Sequence, residues 1–126
     1  MTPKFRAYDG GSLCRMYSPE EVMVGNGDIW IVDEDDVVGE WIVNNDLVLM
    51  QSTGLTDKNG KEIFEGDIID STDGFLTGVV EFRVSLGMFI SELVEYNSFE
   101  RLCNVASSRK IIGNIWEHPE LAEVSS

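Results

Sequence analysis

The sequence has no run of apolar residues that approaches the roughly 20 needed by a membrane-spanning helix. Its first six residues, MTPKFR, lack the apolar core of a signal peptide. These two absences predict a cytoplasmic protein that has no contact with a membrane.

The residues that most often perform catalysis or bind metals are scarce. Cys14 and Cys103 are far apart and form no CxxC pair, so we expect two reduced thiols. His118 is the only histidine, and a Ser-His-Asp triad or a histidine metal site would depend on it alone. We therefore predict no catalytic residue, no cofactor and no metal, and a protein that is not an enzyme. A hydrolase that uses carboxylates and a metal is the alternative.

Basic residues are also few: nine stand against 23 acidic ones, and the formal net charge is -14. Such a charge repels phosphates, so direct binding of nucleic acid is not expected, whereas a basic surface on a partner protein would be attracted. Solubility is the alternative explanation of the charge. The run Asp33, Glu34, Asp35 and Asp36 is a candidate acidic patch, with a solvated loop or weak divalent-cation binding as its alternatives.

The first half of the chain has the pattern of short strands separated by turns. Residues 4–17 predict a β-hairpin, and Ser18-Pro19-Glu20-Glu21 predicts a short helix because it supplies a cap residue and a proline at the first helical position. Residues 29–32, 40–43 and 47–50 are rich in β-branched and aromatic residues, and acidic or Asn-rich turns separate them. This pattern is typical of a β meander.

The second half is predicted to continue as strands with one helix. Strands are indicated from residue 68 and over residues 80–84, 88–90 and 111–116, and Pro119 ends the last one. Residues 98–105 carry apolar side chains near helical spacing after a serine that can cap, which predicts a short helix.

Five aromatic residues fall in the predicted strands and are expected in the core: Trp30, Trp41, Phe82, Phe89 and Trp116. One tryptophan exposed to solvent would instead indicate a protein-binding face.

Residues 54–69, GLTDKNGKEIFEGDII, contain charges and glycines that are also found in metal and phosphate loops. A calcium loop with Gly60 at its sixth position would have Leu55 at the first and Gly66 at the twelfth, where oxygen ligands are required. No GxxxxGK[ST] pattern is present, so a phosphate loop is excluded as well. The stretch is therefore interpreted as scaffold.

As scaffold, this stretch predicts two tight turns. Asn59-Gly60 tolerates the positive φ of a hairpin turn. Phe64 serves as an apolar anchor, Gly66 permits a sharp corner, and the carboxylate of Asp67 can accept backbone N–H groups of the loop. A Gly-Asp corner before a strand resembles the first hairpin of small SH3-like barrels. The predicted structural motif also includes Gly54, Asp57, Gly113, Asn114, Trp116 and Pro119.

Three segments resemble the YopX family of small phage and prophage proteins: KFRAYD at residues 4–9, LMQSTGLTDKNGKEIFEGDII at 49–69, and IIGNIWEHPEL at 111–121. Residues 19–48 and 91–109 match nothing in that pattern, and Phe64 and Trp116 stand where tyrosine is expected. The resemblance implies a mostly β fold with an SH3-like barrel and a phage or prophage gene. It implies no activity and no catalytic residue.

Together these features predict one mainly β domain with one or two short helices. Residues 1–53 are expected to form an N-terminal part of β meander and hairpins, residues 54–121 a C-terminal SH3-like barrel, and residues 122–126 a loose tail. The function hypothesis is a non-enzymatic accessory module of a phage, which binds a host or phage protein in the cytoplasm of a bacterial host. An acidic nucleic-acid mimic that inhibits a DNA- or RNA-binding host protein is the alternative. The exposed sheet edges of a small β domain would also permit homo-oligomerisation.

Overall fold

The computed structural model describes residues 4–11, 14–32 and 40–123. These residues are mainly β, as predicted, with one α-helix of four residues and three short 3-10 helices. The chain divides into two compact units, residues 1–51 and 52–126.

The first unit is built from two small antiparallel sheets. The strands are β1 (Phe5–Asp9), β2 (Arg15–Tyr17), β3 (Val22–Gly25), β4 (Asp28–Val32), β5 (Trp41–Val43) and β6 (Val48–Thr56). In the first sheet β1 pairs with β2, which confirms the predicted hairpin, and also with residues 48–51 of β6. The second sheet has the order β3-β4-β5. The core of the first unit is formed by buried residues, namely Ala7, Tyr17, Val22, Ile31 and Leu47.

The predicted helix at residue 18 exists as one 3-10 turn, Pro19–Glu21. The predicted meander is wrong at its last strand, because β6 leaves β5 and pairs with β1. The side chain of Asn45 lies at the end of the ladder between β4 and β5. Its Oδ1 accepts the N–H of Ile29 at 2.8 Å, where a main-chain carbonyl just past the end of β5 would otherwise accept it. The ladder between β4 and β5 therefore ends there.

The elements of the second unit are β7 (Glu62–Phe64), β8 (Asp67–Asp70), β9 (Gly78–Arg83), β10 (Met88–Leu93), β11 (Phe99–Arg101), α1 (Leu102–Val105) and β12 (Lys110–Asn114). Five of the strands form an antiparallel sheet in the order β11-β10-β9-β8-β12. In chain order, β8, β9, β10 and β11 form a meander, and β12 then returns to pair with β8. This order and the curl of the sheet into a half-barrel agree with the SH3-like prediction.

The core of this unit consists of buried side chains from the sheet, from β7, from α1 and from the 3-10 turn after α1, namely Ile63, Ile69, Val80, Leu102 and Ala106. The predicted helix over 98–105 is half wrong. Phe99 and Glu100 pair with Glu92 and Ser91 of β10, so ladder hydrogen bonds hold this part of the chain extended. The helix begins only at Leu102, where its one buried side chain enters the core.

Candidate functional site

The predicted scaffold residues in the Asn-Gly turn are held by Asp57. This side chain is buried, and its Oδ1 accepts the N–H groups of Asn59 and Lys61, each at 2.9 Å, while its Oδ2 accepts the N–H of Ile111 at 3.0 Å. Burial alone would raise the pKa of the Asp57 carboxyl, but these backbone donors outweigh it and hold the pKa below its ordinary value of 3.8. The turn itself needs Gly60, whose φ is +82°.

The corner at residues 64–67 is held by Asp67, as predicted. The buried carboxylate of Asp67 accepts the N–H of Phe64 at 2.8 Å across the corner. Gly66, at φ +83°, donates its N–H to Val80 and accepts the N–H of Ile115, so its main chain joins β9 to the end of β12. Gly54 lies within β6, also at positive φ.

The C-terminal motif forms one compact turn around Asn114. Its Oδ1 accepts the N–H groups of Trp116 and Glu117, at 3.1 and 2.8 Å, and its own N–H points to Nδ1 of His118 at 3.3 Å. A Cβ on Gly113 would lie 2.7 Å from the same Nδ1, so this position has no room for a side chain. Pro119 begins the final 3-10 helix, Pro119–Ala122. The only histidine is therefore part of a structural turn.

The acidic run 33–36 lies outside the residues that the structure describes. Within the described ranges, no three His, Cys, Asp or Glu side chains are grouped closely enough to hold a metal ion. None of the described helices is long and apolar enough to cross a membrane.

The structure adds a feature that the sequence reading missed, an apolar face on the β3-β4-β5 sheet. Val22 and Ile31 point into the core, so their neighbours along each strand point outward. The register places Met23 beside Trp30, Trp30 beside Val43, and Val32 beside Trp41. We call these five side chains, Met23, Trp30, Val32, Trp41 and Val43, the outer face.

Much of the outer face is accessible to solvent. Met23 is 48% exposed, Trp41 41% and Val43 44%. The prediction that the strand aromatics are core residues is therefore wrong for Trp41, because β5 is the last strand of its sheet in the described residues and packs only on one side. It is also wrong for Phe82, which lies near the exposed end of β9, and for Trp116, which lies in the C-terminal turn.

The chain segment that carries the outer face has charge of only one sign. Residues 16–57 contain ten acidic residues and no lysine, arginine or histidine. Glu20 and Glu21 precede β3, Asp28 begins β4, and Glu40 precedes β5. Glu21 pairs with Arg15, which lies just outside this segment. The absence of basic residues from this segment can be read from the sequence and could have indicated a binding surface there. The strand register is needed, however, to place the apolar residues on one face.

In the second unit, the exposed aromatic residue Phe99 lies in different surroundings, a cluster of ion pairs. Arg83 bridges Glu81 and Glu92 at 2.8 and 2.9 Å, and its guanidinium lies 5.2 Å from the centre of the Phe99 ring. The Phe99 ring therefore lies beside charged side chains that are already paired with one another.

Comparison with known proteins places the chain in a family. The sequence profile described as "YopX protein" matches residues 4–123, and the chain belongs to this family. The crystal structure of protein EF1440 from Enterococcus faecalis is similar, with a TM-score of 0.65 and 28% identity over 98% of this chain and 99% of that one. Protein yopX from Bacillus subtilis has a TM-score of 0.59 and 19% identity over 94% and 96%, a likeness of fold alone. No curated protein matches the chain.

Proposed function

We propose that this YopX-family protein is a non-enzymatic protein-binding module and that the outer face of the β3-β4-β5 sheet is its binding surface. The observation that carries the proposal is Trp41, a tryptophan 41% exposed beside Val32 in an apolar row. Tryptophan and methionine are enriched at protein interfaces, and a few such residues supply most of the binding free energy.

Packing supports the proposal because the outer face is apolar without serving the core. The inner side of the same sheet carries the core residues Val22 and Ile31. An apolar row on the opposite side exposes hydrocarbon to water, which folding alone does not require. A partner that covers Met23, Trp41 and Val43 would remove this surface from water.

The partner in this proposal is a host or phage protein with a basic surface, met in the cytoplasm of a bacterial host. The net charge of -14 and the absence of bases from residues 16–57 support a basic partner and disfavour direct binding to nucleic acid. The phage or prophage origin is part of the same proposal and rests on the wording of the family motifs.

The experiment is affinity capture from bacterial lysate with three forms of the tagged protein, followed by mass spectrometry. The test variant is Trp41→Ser with Val43→Ser, and the matched control is Val84→Ser with Leu86→Ser, two exposed apolar residues of the turn between β9 and β10. We expect a partner held by the wild type and by the control but lost from the test variant. A partner held equally by all three forms would contradict the assignment of the face.

An acidic nucleic-acid mimic is the second candidate, and the base-free segment 16–57 is what favours it. Mimicry predicts a DNA- or RNA-binding partner that is released by moderate salt, because exposed charges are screened. Binding that survives high salt but is lost in the Trp41 and Val43 double variant would favour the apolar face instead.

A further inference from the structure

We infer that the partner binds the outer face by adding a strand to β5, and that this strand carries lysine or arginine beside apolar residues. The inference rests on the proposed function and names the chemistry of its partner. It follows from the hydrogen bonding of β5, the exposure of its side chains and the charge of its surroundings.

The backbone of β5 pairs with β4 on one side, and the described residues place no strand on its other side. Asn44 donates its N–H to the carbonyl of Ile29 at 2.8 Å, and the register pairs Ile42 with Ile31. Backbone groups alternate in direction along an antiparallel strand, so Ile42 also faces β4. The N–H and C=O groups of Trp41 and Val43 therefore point away from it. In the described residues β5 ends its sheet on that side.

The side chains of β5 are exposed on both faces of the sheet, because Trp41, Ile42 and Val43 are all exposed. Exposed edges are commonly protected by lysine, proline or a bulge. This strand, Trp-Ile-Val, has no charge and no proline, and its composition is that of a strand that accepts pairing. An added strand would meet apolar surface above and below while its main chain bonds to Trp41 and Val43.

Charge selects between a second copy of this chain and a basic partner. Two copies paired through β5 would bring together two segments that contain ten acids and no base each, and like charges oppose such pairing. Glu40, exposed and directly before β5, would instead attract a lysine or arginine on an incoming strand. A partner strand in which basic and apolar residues alternate would pair with the edge of β5, pack against its apolar side chains and complement the negative charge.

The test uses the full-length protein and two synthetic peptides of equal length, one alternating valine with lysine and one alternating valine with glutamate. Binding is followed by NMR through the amides of β5. We expect the lysine peptide to bind, to protect the Trp41 and Val43 amides from exchange, and to bind at least about tenfold more tightly than the glutamate peptide. Glu40→Lys should weaken the lysine peptide severalfold.

Backbone pairing is separated from side-chain packing by two substitutions at one position. Val43→Pro removes the N–H that faces the open edge while no bond to β4 is lost, and Val43→Ala shortens the side chain but keeps that N–H. We expect Val43→Pro to weaken peptide binding about fivefold more than Val43→Ala, because one backbone hydrogen bond is worth about 1 kcal/mol. The far-ultraviolet circular dichroism of both variants verifies folding.

Four results would overturn the inference: equal binding of the two peptides, no saturable binding of the lysine peptide, equal effects of the two Val43 variants, or a wild-type dimer that Val43→Pro dissociates. These failures are distinguishable from failure of the proposed function. A lysate partner that depends on Trp41 but is indifferent to Val43→Pro would retain the binding face and remove strand addition.

Discussion

The carboxylate of Asp57 accepts the backbone N–H of Ile111 at 3.0 Å, across 54 positions of sequence. Beside it, Lys58 donates its N–H to the carbonyl of Arg109 at 2.8 Å. The Asn-Gly turn is thus fastened to the beginning of β12, the strand that pairs with β8. Residues that looked like a metal loop in the sequence have a structural task, which is to hold a local turn against a distant strand.

Asp57→Asn is expected to lower the free energy of unfolding by about 2 kcal/mol, because hydrogen bonds to a charged acceptor are stronger and one amide nitrogen would face a backbone donor. Urea unfolding at neutral pH measures this. Asp46→Asn removes the same charge from an exposed side chain and is the matched control, for which we expect a change within about 0.5 kcal/mol. Equal effects would mean that net charge, and not the hydrogen bonds, accounts for the loss.

The difference between wild type and Asp57→Asn should depend on pH. Backbone donors hold the pKa of Asp57 in the folded protein below its ordinary value of 3.8, despite its burial. A carboxyl with a lowered folded pKa stabilises the fold above its unfolded pKa, and this contribution is lost as the pH falls through the folded value. Urea unfolding from pH 7 down to the acid limit should show the difference shrinking below about pH 4. A difference that stays constant would contradict the assigned hydrogen bonds.

The sequence predicted those parts of the fold that depend on local rules. Gly60 and Gly66 take the positive φ that their turns require, and the Asp67 carboxylate accepts the N–H of Phe64. Position 99 illustrates the limit, because the apolar spacing favours a helix there while pairing with Glu92 holds the residue extended. Pairing between distant segments outweighs local preference, and one sequence alone contains no direct record of it.

The candidate site was less accessible to prediction for the same reason. Trp41 and Val43 have the composition of a core strand, and nothing local distinguishes an edge strand from a central one. Only the register with Trp30 and Val32 places them on the side opposite the core. The charge segregation of residues 16–57 was readable from the sequence, but the face that it surrounds was not.

Gly78 and Ser91 predict a pair of opposite effects in the half-barrel. A Cβ on Gly78 would lie 1.9 Å from Oγ of Ser91, a buried hydroxyl with no hydrogen-bond partner among the described residues. Gly78→Ala should cost about 2 kcal/mol of stability by overpacking. Ser91→Ala should raise stability by about 1 kcal/mol, because it removes a buried polar group that has no partner.

The double variant Gly78→Ala with Ser91→Gly, measured beside Gly78→Ala alone and Ser91→Gly alone, is the control for this pair. It should recover part of the Gly78→Ala loss, because the contacting side chain is gone, and a thermodynamic cycle from chemical unfolding measures the recovery. Strictly additive effects of the two substitutions would show that the two positions do not meet as the structure places them.

Gly113→Ala should destabilise the C-terminal turn by about 1–2 kcal/mol, since its Cβ would approach the ring of His118 to 2.7 Å and a methyl of Leu121 to 3.1 Å. The same substitution combined with His118→Ala should cost less than the sum of the two single variants. Thermal unfolding of the four forms measures this, with one- and two-dimensional NMR of the Asn114 amide as a local probe. A Gly113→Ala protein as stable as the wild type would refute the close packing.

The electrostatic surroundings of the outer face are open to a direct optical measurement. In a protein with Trp30→Phe and Trp116→Phe, Trp41 is the only tryptophan, and it is exposed enough for quenchers to reach it. Because no base occurs in residues 16–57, caesium should quench its fluorescence at least about twice as efficiently as iodide, relative to a free tryptophan amide at equal ionic strength. At high salt, quenching by caesium and quenching by iodide, each relative to the free tryptophan amide, should become equal, since salt screens exposed charge. Glu40→Lys should reduce the difference between caesium and iodide quenching at low salt. Iodide quenching equal to or greater than caesium quenching would show that the outer face lacks the negative potential on which a basic partner depends.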